Sequence, residues 1–70
     1  MDRYCVNMIA QQNGDHEVHN LSKGCDYLPE SGNRRDLGEF GSSFLAVEMA
    51  KLFFEQVNGC YYCCRESHSS

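Results

Sequence analysis

Tyr4-Cys5-Val6-Asn7-Met8-Ile9-Ala10, then Gln11-Gln12-Asn13-Gly14-Asp15, then His16-Glu17-Val18-His19-Asn20-Leu21, is the stretch on which the fold turns. The outer segments are rich in strand formers and the middle one holds Asn-Gly, a strong short-range hairpin signal, because a type I′ turn needs positive φ at both central residues. With Asn13-Gly14 as a two-residue loop, Gln12 faces Asp15, Met8 faces His19 and Val6 faces Leu21. Tyr4, Val6, Met8, His19 and Leu21 then share one face, and Cys5, Asn7, Ile9, Val18 and Asn20 the other. The first set is the more apolar, so His19 is expected to point inward, and Cys5 and His16 are not.

Residues 22–41 carry Gly24, Pro29, Gly32, Gly38 and Gly41, a density of breakers that marks a loop-rich connection. So long a loop is unusual in a small domain, and a third strand is expected over residues 36–40. Ser42 and Ser43 are capping residues for a helix over 44–58, with Gly59 suited to the left-handed position that ends it. Glu48, Lys51 and Glu55 fall on one polar stripe of that helix and apolar residues cover the rest. So wide an apolar arc packs across the sheet or leaves a remainder for a protein partner or a second copy of the chain. The expected architecture is α+β: an N-terminal antiparallel hairpin, extended to three strands, packed against one long helix and followed by a Cys-rich loop, all in one domain over residues 1–70.

Below roughly 70–80 residues a single core rarely supplies more than about 3–5 kcal/mol, so a chain of 70 residues calls for a staple. Five cysteines are the material for one. The N-terminus has no apolar run of signal-peptide length, and the apolar stretch over 44–54 is broken by Glu48 and Lys51 and falls short of the roughly 20 residues of a membrane span. The expected compartment is the cytoplasm, where closely spaced cysteines bind metal or do redox work more often than they form structural disulfides. A net charge of -4, with no basic run longer than Arg34-Arg35, speaks against binding a phosphate backbone.

Cys60 and Cys63 form a Cys-x-x-Cys knuckle, whose spacing lets two thiolates share one tetrahedral ion. Cys25, after Gly24, is a third donor from a separate loop. The fourth is open among His19, six residues before Cys25, His68, five after Cys63, and the adjacent Cys64; His19 is favoured. Two other readings stand beside zinc: buried thiols that act as small hydrophobic residues, and redox chemistry. Redox is disfavoured because Cys60 and Cys63 follow the expected helix C-terminus, where the macrodipole opposes a thiolate. Asp15-His16-Glu17 reads as a solvated turn rather than a catalytic cluster, and Ser42 and Ser43 have neither a matched base nor an oxyanion-hole motif.

Val18-His19, Gly24-Cys25, Asn33-Arg34, Ser42, Ala46 with Glu48, and Gly59-Cys60-x-x-Cys63 together resemble the small zinc-binding module of the bacterial methylphosphotriester DNA-repair protein, a module related to tails on some bacterial nucleases. Asn13-Gly14-Asp15-His16-Glu17-Val18-His19 and Gly59-Cys60-Tyr61-Tyr62-Cys63 are similar to stretches of small bacterial proteins of about this length. The first resemblance implies Cys25, Cys60 and Cys63 as metal ligands with His19 as the fourth; methyl transfer to a cysteine is not among its implications. The functional expectation is a small zinc-stabilised binding or accessory module with no catalysis of its own. A metal-free interaction or homodimerising domain, and a thiol redox or metal-handling factor, are the competing classes.

Overall fold

The computed structural model describes residues 1–69. Four strands and one helix follow in the order β1 (Asp2–Asn7), β2 (His16–Asn20), β3 (Arg34–Phe40), α1 (Ser43–Ala50) and β4 (Val57–Gly59), with short 3-10 turns at Ser31–Asn33 and Arg65–Ser67. The strands make one mixed sheet in the order β3-β1-β2-β4, with β1 antiparallel to both β2 and β3, and β4 parallel to β2. This is an α+β arrangement, and the third strand expected from the sequence is present as β3. Among the described residues no helix is long and apolar enough to cross a membrane.

The hairpin forms in a different register from the expected one. Val6 pairs with Val18 rather than Leu21, a shift of three positions, and Cys5 pairs with His19. An odd shift carries every side chain of the strand to the opposite face. β2 is thus turned over relative to β1: Val18 joins Tyr4 and Val6 on the core face, while His19, expected on that face, shares the opposite one with Cys5. Both faces are covered here, so Cys5, expected to face outward, is completely buried, and Met8, expected in the core, lies beyond the strand and is 42% exposed. The cause is the turn. Gly14 has φ 94° but Asn13 does not have positive φ, so the two-residue type I′ turn is not made. Asn13 Oδ1 instead accepts from the Asp15 N–H at 2.9 Å, and Gly14 N–H donates to Gln11 O at 2.8 Å. Residues 8–10 are drawn off β2 by Met8 N–H donating to Asn33 O, and the His16 ring bonds Asn7 O in their place.

The long helix over 44–58 is likewise corrected: α1 has eight residues and ends at Ala50. Its start is as expected, with Ser42 Oγ accepting from the Leu45 N–H, while the Ser43 hydroxyl is buried and donates to Glu66 Oε2. Ser43, Ala46, Val47 and Ala50, at i, i+3, i+4 and i+7, form the buried stripe, and their small side chains let the helix lie close to the sheet. After Ala50 the chain tightens through Leu52 N–H to Met49 O and Phe53 N–H to Ala50 O. Val57, Asn58 and Gly59 are weak helix formers, and they gain more by pairing with His16, Glu17 and Val18. Phe54 stacks on the His16 ring with centroids 3.9 Å apart and anchors this return. Glu55 therefore lies outside the helix, and the polar stripe reduces to the Glu48–Lys51 pair. Gly59 ends a strand, not a helix.

Tyr4, Val6, Val18, Leu37, Ala46, Val47 and Ala50 make the core, and Cys60, Cys63 and Cys64 join it from the C-terminal segment. Leu37 reaches it through a bulge: Tyr4 pairs with Gly38 and Cys5 with Asp36, leaving Leu37 as the extra residue. Gly38 has φ 97°, a conformation that favours glycine at such a bulge. β4 then delivers the knuckle: Cys60 N–H donates to Val18 O at 2.8 Å, which keeps residues beyond Gly59 against the end of β2, where His19 sits.

Candidate metal centre

Four side chains converge at that end of the sheet: His19 from β2, Cys25 from the loop after it, and Cys60 and Cys63 from the knuckle after β4. Their ligand atoms all lie within 4.8 Å of one another. Cys25 Sγ and Cys60 Sγ are 3.8 Å apart, and Cys63 Sγ and His19 Nδ1 are 3.6 Å apart. A tetrahedral zinc ion with bonds of about 2.3 Å to sulfur and about 2.05 Å to nitrogen requires edges of about 3.8 Å between sulfurs and about 3.6 Å from sulfur to nitrogen. These two of the six edges match that requirement, and the rest lie within 4.8 Å.

Each sulfur also receives one backbone N–H. Tyr27 N–H points to Cys25 Sγ and Tyr62 N–H to Cys60 Sγ, both at 3.4 Å and both from two residues along the chain, while Asn20 N–H reaches Cys63 Sγ at 3.3 Å. Three donors aimed at three sulfurs favour thiolates, the form in which cysteine ligates a metal. Burial acts the other way in the metal-free protein. It raises Cys25, and pushes Cys60 up to about 12. The Cys64 side chain, together with burial, raises Cys63. His19 is lowered to about 4 by burial and by the Arg34 guanidinium, so its imidazole is neutral and keeps one nitrogen lone pair for a ligand.

All four candidate ligands singled out in the sequence thus come together, and the two alternatives for the fourth position do not join them. His68 Nδ1 donates to Gly59 O at 2.9 Å, and Cys64 is fully buried in the core, its N–H bonded to Cys60 O. The macrodipole objection to redox chemistry falls with the shortened helix, since α1 ends ten residues before Cys60. Desolvation replaces it, because a thiol pushed up to about 12 is a poor nucleophile near neutrality. Asp15, His16 and Glu17 are half-buried rather than a solvated turn: Asp15 accepts from Gln56 Nε2, and His16 packs on Phe54.

Sequence reasoning missed two neighbours of the cluster. Cys5, opposite His19, is raised to about 11 by burial. Glu17 lies two residues before His19 on the same face of β2, with Oε1 3.7 Å from His19 Nε2. The alternation of β2 carries the second of these signals, since residues i and i+2 share a face. Compared with known proteins, the chain matches no family model, no curated protein sequence and no solved structure.

Proposed function

We propose that the chain is a zinc-stabilised binding or accessory module, with His19, Cys25, Cys60 and Cys63 as ligands and no catalysis of its own. The carrying observation is the pair of 3.8 Å and 3.6 Å edges, which match a tetrahedral zinc site of three sulfurs and one nitrogen. Four protein donors close such a site, as structural zinc sites are closed, whereas a catalytic zinc keeps a position for water or substrate. The metal would join three separate parts of the chain, β2, the loop after it and the segment after β4, and so act as the staple a 70-residue core calls for.

The partner class that fits this reading is protein. Phe44, Leu45 and Leu52, each more than half exposed, stand on α1 and just beyond it, and the chain carries a net charge of -4. Cobalt substitution tests the site. One equivalent of cobalt(II) is expected to give the intense visible bands of a tetrahedral ion together with sulfur-to-cobalt charge transfer, and zinc should displace both. Weak octahedral bands, or no uptake, would overturn the proposal and favour a metal-free domain with reduced thiols.

A further inference from the structure

His19 Nε2 is buried without a hydrogen-bond partner among the described residues, while Nδ1 of the same ring faces Cys63 Sγ. A neutral imidazole has one lone pair and one N–H. If Nδ1 ligates the metal, the proton must sit on Nε2, so the orphaned atom becomes a buried donor in need of an acceptor. Glu17 Oε1 stands 3.7 Å away, too far for a hydrogen bond but within reach of a small side-chain rotation. The Glu17 side chain is only 17% exposed, and alternation along β2 holds it on the face of His19.

We propose that Glu17 is the positioning residue of the metal centre: its carboxylate accepts the His19 Nε2–H, fixes the tautomer that leaves Nδ1 free for zinc, and holds the ring at the angle the cluster needs. The inference rests on the zinc reading above and extends it to a residue outside the four ligands. Outer-shell carboxylates of this kind commonly change metal affinity about 10–100-fold when removed.

The test begins with zinc affinity of the wild-type chain, measured by competition with a chromophoric chelator; failure of the wild type to bind zinc would defeat the zinc reading itself, before Glu17 is at issue. Given binding, Glu17→Ala is expected to weaken zinc about 10–100-fold. Glu17→Gln, which keeps an acceptor oxygen, should stay within a few-fold of wild type. A purely structural role for Glu17 would instead lower the denaturation midpoint of metal-free protein, which Glu17→Ala should leave unchanged. Nitrogen-15 NMR of the wild-type zinc protein gives a readout independent of any variant: His19 should show a protonated, slowly exchanging Nε2 and a metal-shifted Nδ1. An Ala variant within two-fold of wild type, or a proton on Nδ1, would overturn the assignment.

Discussion

Among the individual residues, the five cysteines are not equivalent. Cys25, Cys60 and Cys63 have their sulfurs turned to one point and each receives a backbone N–H; Cys64 is buried in the core and Cys5 is paired with His19 across the sheet. Cys60→Ser is therefore expected to abolish stoichiometric zinc and to lower the melting temperature, followed by circular dichroism, as far as metal removal does. Cys64→Ser should retain one zinc and cost roughly the 0.5–3 kcal/mol of an ordinary buried substitution. Equal metal loss in the two variants would contradict the ligand set. His19 sets a pH dependence for the metal-free chain. Its pKa in the fold, about 4, is below the ordinary 6.5, so the unfolded chain takes up the proton first as pH falls. The contribution of neutral His19 is full above pH 6.5 and is lost progressively towards pH 4, a window that urea titrations of the metal-free protein should show as a falling midpoint. Cys5 acts at the other end: its thiol is raised to about 11 from 9.0, so its contribution is full below pH 9 and fades above it.

Among the elements, the hairpin and the β4-to-knuckle return decide whether the site assembles. The candidate ligands were legible because Cys-x-x-Cys spacing is a local property, and because two further donors, His19 and Cys25, lie in another part of the sequence. The existence of a hairpin and of a third strand was legible from turn residues and strand formers. Register was not, since Asn13-Gly14 could make either a two-residue turn or the wider one that side-chain bonds from Asn13 and the Gln11–Gly14 bond select. The helix end was not legible either: the apolar pattern over 44–54 continues past Ala50, and only parallel pairing of Val57 with His16 shows where it stops. Gly59 is where this return is tightest. A Cβ there would lie 2.9 Å from the Cys64 carbonyl and collide with the Ser67 hydroxyl. Gly59→Ala should displace the knuckle from β2, destabilising the fold by roughly 1–3 kcal/mol of overpacking and weakening zinc in the same variant. Unchanged zinc affinity in that variant would show that the strand and the knuckle are not coupled. At the start of α1, Ser42→Ala removes a cap and is expected to cost about 1 kcal/mol, read from the denaturation midpoint, without changing metal content.

Across the whole molecule, a small sheet, an eight-residue helix and a core of medium and small side chains leave the fold dependent on what ties its loops together. Zinc held by His19, Cys25, Cys60 and Cys63 would contribute on the scale of the roughly 10–16 kcal/mol found for small zinc peptides, larger than any other single term available here. Three thiols must lose protons to bind it, so affinity should fall steeply as pH drops. The most direct measurement is metal analysis of protein purified without an affinity tag or chelator, paired with a thermal melt before and after a strong chelator. The account predicts close to one zinc per chain, and a melt that shifts to much lower temperature when the metal is removed. A cooperative melt that is the same with and without chelator, in protein that carries no zinc, would contradict it.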